Sequence, residues 1–245
     1  MKLAVLGLSL SSSWGNGHAT TYRALLRAFA RRGHEVLFLE RDVPWYRTHR
    51  DLTVPDYARL AFYADFEGLS RDWRDEVAQA DAVIVGSFTP DGVEVGRWVQ
   101  EVARGVTAFY DIDTPVTLAR LARAEHDYVS PGVIPGYDLY LSFTGGPSLD
   151  LLERRYGARA ARALYCSVDA EAHRPLTQRP RWDLSYLGTY SPDRQPMLER
   201  LLIEPARAAP DLRFCIAGPQ YPADLDLPAN VERLEHVGPG EHAAF

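Results

Sequence analysis

"KLAVLGLSLSSSWGNGHATT" (Lys2–Thr21) decides how the chain opens. Lys2–Leu8 is a short apolar run suited to a buried strand. Tyr22, Leu25, Leu26 and Phe29 then recur at helical spacing over about His18–Arg32. A strand, a glycine-containing loop and a helix are the first unit of an α/β fold. In the loop, Gly15 and Gly17 allow positive φ or close approach of backbone to a ligand. The helix start adds free N–H groups and a positive dipole end. The loop partly imitates the dinucleotide fingerprint GxGxxG, and Glu40 stands where a ribose-binding acid would stand. Against that reading, the glycines follow an inserted Ser-rich stretch, and Thr20 replaces the third glycine. Two readings stay open. Gly15, Asn16 and Gly17 line a ligand with His18 as a candidate base, or the loop only turns the chain and His18 is a surface residue.

The alternation continues downstream. Gly33 stops the first helix as a C-cap would, and Glu35–Glu40 reads as the second strand. After an irregular aromatic segment, Asp81–Phe88, Val106–Asp111, Asp138–Phe143 and Arg162–Ser167 read as further strands. Helices are expected over Asp91–Arg104, after Pro115, and over Pro147–Tyr156. Strands apolar on both faces require a parallel sheet covered by helices, so the fold class is α/β, doubly wound and Rossmann-like. "AHRPLTQRP" (Ala172–Pro180) breaks the pattern as a linker would. Then Asp183–Thr189, a helix over Pro192–Ala209, Asp211–Gly218 and a last strand in "NVERLEHVG" restart it. The expected organisation is an N-terminal domain over 1–171, a linker over 172–182 and a smaller unit over 183–245. That second unit holds fewer elements than a complete doubly wound domain, and a helix-like start at Glu241 stops at Phe245. The expectation is therefore a chain cut inside its second domain.

Composition sets outer bounds. The 245 residues are 46% hydrophobic and 24% charged with a formal net charge of −6, ordinary globular values. The mild acidity argues against a general nucleic-acid binder, and no apolar run reaches the roughly 20 residues that span a bilayer. Cys166 and Cys215 sit in apolar strand-like runs without CxxC spacing and read as buried thiols. A cytoplasmic protein without integral membrane contact accords with these features.

Other stretches place chemistry at strand ends, where open α/β sheets bind ligands. In "FYDIDTP" (Phe109–Pro115), Asp111 and Asp113 alternate, so on extended chain they share a side. They could contact a ligand or hold a metal, or Asp113 could cap the helix that follows. "SFTGGP" (Ser142–Pro147) offers Thr144 and Gly145 either to an anion or to a tight turn. "YLGTYSP" (Tyr186–Pro192) and "IAGPQYP" (Ile216–Pro222) place Gly188, Thr189, Tyr190, Gly218 and Pro219 just past strand ends in the second unit.

Taken in order, "DIDTPVTL", "YDLYLSFTGGPSLDLLERRYGA", "YCSVDAEAHRP", "DLSYLGTYSPDRQPMLERLL" and "FCIAGPQYP" resemble the CgeB-like, spore-maturation-type glycosyltransferases. The resemblance implies a GT-B fold, with an acceptor-side N-terminal domain and a C-terminal domain for a nucleotide-sugar donor such as a UDP-, GDP- or TDP-sugar. It implies no cofactor and no metal, because GT-B enzymes manage the leaving diphosphate with backbone N–H groups and basic side chains. His18 would then act as base or hold the donor sugar. Asp111 and Asp113 would orient hydroxyls, and Gly15, Gly17, Gly188 and Thr189 would bring backbone to ligand oxygens. Two other functions stay open: a non-catalytic sugar- or nucleotide-binding or partner-docking fragment, and an NAD-dependent oxidoreductase.

Overall fold

Leu3 and Val5 pack on one side of the first strand and Ala4 and Leu6 on the other, and all four are buried. Such two-sided burial needs helices on both faces, and the computed structural model, which describes residues 1–245, has that arrangement. The chain divides into two compact units, Met1–Ser12 with His18–Val168, and Ser13–Gly17 with Asp169–Phe245.

The first unit is built on seven parallel strands: β1 (Lys2–Gly7), β2 (Glu35–Arg41), β3 (Arg59–Tyr63), β4 (Ala82–Gly86), β5 (Val106–Asp111), β6 (Leu139–Ser142) and β7 (Ala161–Ala163). Their order is β3-β2-β1-β4-β5-β6-β7, the doubly wound arrangement that reverses direction at β1 and β4. The register pairs Leu3 with Val36 and with Ala82 on either side. Helices α1 (Gly17–Arg31), α2 (Pro44–Arg47), α3 (Phe66–Asp72), α4 (Arg74–Gln79), α5 (Gly92–Val102), α6 (Thr114–Ala122) and α7 (Pro147–Tyr156) connect them. Tyr22 and Leu26 of α1 close one face over Val5, Phe38 and Tyr110. Val95, Trp98 and Val99 of α5 close the other over Leu6, Val85 and Phe109.

The second unit has a three-stranded parallel sheet ordered β10-β9-β8, from β8 (Leu184–Leu187), β9 (Phe214–Ala217) and β10 (Val231–Leu234). Its helical segment comprises α8 (Gln195–Leu198), a π-helical turn (Glu199–Ile203) and α9 (Glu204–Ala208). Leu198, Leu202, Ile203 and Ala206 pack on Phe214 and Ile216. No helix is long and apolar enough to cross a membrane.

Three expectations need correction. The segment read as irregular between the second and third expected strands contains β3 and three helices. An edge strand is covered less completely, so "RLAFY" mixes an exposed Arg59 with half-buried residues and lacks the all-apolar signature. The strand expected over Arg162–Ser167 shrinks to Ala161–Ala163, because β7 lies at the other edge of the sheet and pairs with β6 alone. For the same reason Cys166, beyond the strand end, is exposed, whereas Cys215 within β9 is buried.

Candidate active site

The site forms where β4 and β5 end. Tyr22, one turn after His18 on α1, lies over these strand ends. A Cβ on Gly86 would stand 1.8 Å from the Tyr22 hydroxyl oxygen, and one on Gly7 would stand 3.0 Å from its ring. Two glycines in strands, where a side chain would otherwise help packing, thus let the start of α1 lie close to the sheet. That approach brings the His18 Nε2 to 2.8 Å from the Asp113 Oδ2, although the two residues are far apart in sequence.

Asp113 follows β5 at the N-cap position of α6, yet its side chain makes no capping hydrogen bond. The capping role considered from sequence is therefore not the one seen. Its carboxylate instead takes the His18 contact and a 2.8 Å hydrogen bond from the Ser87 hydroxyl. Ser87 is itself held by the Ile112 N–H, which donates to its Oγ at 3.1 Å. Burial works to raise the Asp113 pKa, but the hydrogen bond and charge of His18 and the Ser87 hydroxyl together hold it below the usual carboxylate range.

Asp111 departs further from expectation. The chain leaves extended geometry after β5, so the two carboxylates do not present a common face. Asp111 is 0% exposed. The Tyr140 hydroxyl donates to its Oδ2 at 2.7 Å, and the Thr117 hydroxyl and the Asp113 N–H donate to its Oδ1 at 2.8 and 3.1 Å. Burial pushes its pKa up to about 6 against the lowering effect of these donors. An enclosed Asp111 offers no metal chelate with Asp113.

Around the pair stand aromatic groups. The Phe88 ring meets His18 edge-on at 6.0 Å and lies 4.5 Å from the Tyr128 ring, with the Arg120 guanidinium 5.5 Å from its centroid. Phe88 has φ 57°, a strained conformation for a bulky residue, in the loop that presents Ser87. Ser87, Phe88, Thr117 and Tyr140 were not singled out from sequence. Ser87 could have been found by the same strand-end rule that marked Asp111, since it directly follows β4.

The remaining expected residues fall into separate groups. Gly15, with φ +61°, turns the chain, and the Asn16 N–H donates to the Ser13 carbonyl just before α1 opens at Gly17. The Thr144 hydroxyl is 3.0 Å from Ser142 Oγ, which is 2.8 Å from the Thr114 hydroxyl, and that hydroxyl donates to the Asp111 carbonyl. Gly145 leaves room for the Tyr165 hydroxyl, which would lie 2.7 Å from an added Cβ.

In the second unit, Gly188, Thr189 and Tyr190 follow β8, and Gly218 and Pro219 follow β9. The Tyr190 N–H donates to the Pro219 carbonyl, which ties the two loops together. Gly218 has φ +133°, and a Cβ there would stand 2.1 Å from the Gly188 carbonyl oxygen, so this close pairing requires glycine. The Arg233 guanidinium stacks 4.2 Å over Tyr221 and donates to the carbonyls of Ile216, Gly218 and Leu234. Tyr221 in turn lies 5.4 Å from Tyr190.

Glu40 has a different use from the one a dinucleotide site requires. It is 0% exposed, and both oxygens accept hydrogen bonds from the loop after β1. Ser9 and Ser11 donate their hydroxyls, and Leu10 and Ser11 their N–H groups. The carboxylate that would bind a ribose is committed to holding the inserted Ser-rich loop.

No family model matches the chain. No curated protein matches it either. Solved structures do. An alpha-glucosyltransferase in complex with UDP shares 11% identity at a TM-score of 0.57, with 96% of this chain and 68% of that chain covered. The glycotransferase of kitacinnamycin shares 14% identity at 0.53, with 95% and 70% covered. The UDP-GlcNAc 2-epimerase from Methanocaldococcus jannaschii shares 11% identity at 0.52, with 100% and 76% covered. The fold is of the GT-B kind. Neighbours of this architecture include UDP-sugar glycosyltransferases, which agrees at that level with the fold implied by the sequence motifs.

Proposed function

We propose that this chain belongs to a glycosyltransferase of the CgeB-like kind, which moves a sugar from a nucleoside diphosphate to a hydroxyl acceptor. The observation that carries the reading is the His18–Asp113 pair at the C-terminal strand ends of a GT-B-type α/β unit. A neutral imidazole has one donor and one acceptor nitrogen. With Nε2–H given to Asp113, Nδ1 is the basic nitrogen, and Asp113 stabilises the imidazolium that forms. In the proposed step, the acceptor O–H proton passes to Nδ1 and the acceptor oxygen bonds to the anomeric carbon. The bond from that carbon to the diphosphate oxygen breaks, and the diphosphate leaves with the electron pair. A single displacement of this type inverts the anomeric centre. The first unit would take the acceptor. In the second, the Thr189 N–H and the Tyr190 ring would meet the donor, with Gly188, Gly218 and Pro219 shaping the loops that present them, since the Gly188, Tyr190 and Gly218 N–H groups are given to backbone carbonyls and proline has none.

Calorimetric titration with UDP, UDP-glucose, GDP-mannose and NAD tests the donor class. Heat of binding from a nucleotide sugar and none from NAD is expected, whereas tighter binding of NAD would refute the proposal. In the active protein, His18→Ala is expected to lower transfer by about 10²–10⁴-fold, the usual range for general-base help. Activity within a few-fold of wild type would remove His18 from the mechanism.

A further inference from the structure

Asp111 is a carboxylate without a cation among its hydrogen-bond partners, which are Tyr140, Thr117 and the Asp113 backbone. An enclosed charge held only by neutral donors is costly, and a neutral side chain of the same shape would fill the space. Packing therefore does not account for the residue. Its distinctive act is to grip a backbone N–H, that of Asp113, in the turn where the chain passes from β5 into α6. Asp113 has φ −129° and ψ 32° there and makes no side-chain cap, although aspartate at an N-cap ordinarily turns back onto the helix N–H groups. Thr117, one turn into α6, ties the same Asp111 oxygen to the helix and lies 2.8 Å from the Tyr128 hydroxyl, so the grip is braced from α6 and from the segment after it. Tyr140 braces the other oxygen from β6.

We propose that Asp111 is a positioning residue: by fixing the Asp113 backbone it directs that carboxylate onto His18 and away from the N-terminus of α6. The assignment concerns the His18–Asp113 geometry, and only its consequence for turnover rests on the glycosyltransferase reading. With the pinning lost, Asp113 is free to cap α6. The His18 ring then loses the acceptor that selects its Nε2–H tautomer.

The ring ¹⁵N spectrum of His18, assigned by loss of its signal in His18→Gln, reads the tautomer without any substrate. Wild type is expected to show one donor-type and one acceptor-type nitrogen. Asp113→Ala and Asp111→Leu, which leaves the Asp113 N–H without its acceptor, are both expected to shift these resonances toward an exchanging mixture, while the backbone amide spectrum of Asp111→Leu stays that of the folded protein and Asp111→Asn, whose amide oxygen still accepts from that N–H, keeps the wild-type His18 resonances. Folded Asp111→Leu with wild-type His18 resonances would overturn the assignment. Should Asp111→Leu not fold, Thr117→Val and Tyr140→Phe each remove one brace and keep the carboxylate. Partial shifts are then expected, and unchanged His18 resonances in both would overturn it equally. Where transfer is measured, Asp111→Leu should lower kcat about 10²-fold with KM little changed, the cost of a misplaced catalytic group. Absence of any transfer would refute the proposed function and leave the tautomer result intact.

Discussion

Replacing Asp111 by asparagine should make the protein more stable at neutral pH. Burial raises the pKa of this carboxyl from 3.8 to about 6 in the folded protein. At 1.36 kcal/mol per pKa unit, that rise corresponds to about 3 kcal/mol. The sign follows from proton linkage. Between the ordinary carboxyl pKa and about 6 the folded state binds more protons than the unfolded state, so stability falls as pH rises through this window. Below the window the carboxyl is neutral in both states and carries no penalty. Above it the penalty is complete. Asparagine removes the charge, and its amide oxygen can still accept from Thr117 and from the Asp113 N–H. Its NH₂ must then donate to the Tyr140 oxygen, which costs about 1 kcal/mol for the altered hydrogen bond. The net gain at neutral pH is therefore about 2 kcal/mol. Urea unfolding of both proteins across the acid-to-neutral range measures it. The difference between variant and wild type should grow by about 3 kcal/mol as pH rises from about 4 to about 7. Groups that titrate equally in both proteins cancel from this difference. A difference that stays flat across the range would show that Asp111 carries no burial penalty and would refute the electrostatic reasoning.

Other predictions follow from single contacts. Gly86→Ala places a Cβ against the Tyr22 hydroxyl and should cost about 1–3 kcal/mol, as overpacking does. Tyr22→Phe, which deletes a buried hydroxyl without a hydrogen-bond partner, should be near neutral alone and should recover most of that loss in the double variant. Additive effects in the double-mutant cycle would contradict the packing described. Glu40→Gln removes a charged acceptor shared by four donors and should cost about 1.5–3 kcal/mol, with faster amide exchange at Leu10 and Ser11. Unchanged protection at those two amides would mean that Glu40 does not hold the loop.

Local signals made much of the fold legible in the sequence. Strands buried on both faces announce themselves as apolar runs, which is why β1, β2, β4, β5 and β6 could be placed. Gly33 and Pro147 mark helix boundaries by their backbone restrictions alone. Such signals fade at sheet edges, where one flank is open, so β3 escaped and β7 was drawn too long. Asp111 and Asp113 could be nominated because they stand at a strand end, and His18 because it follows a glycine-containing loop at a helix start. Their division of labour could not. Alternation suggests two equivalent carboxylates, and it holds only while the chain stays extended; here the strand ends at Asp111. Whether a carboxylate is enclosed or reaches a partner depends on Tyr140, Thr117, Ser87 and His18, which arrive from β6, α6, the end of β4 and α1. The same holds for Glu40, whose position invites a ribose and whose oxygens are taken by its own chain. Residue type and spacing, being local, settled where strands, turns and candidate groups lie. Tertiary packing alone decided which carboxylate meets the histidine and which is buried to hold the other in place, because desolvation and hydrogen bonding belong to the folded surroundings and not to the residue.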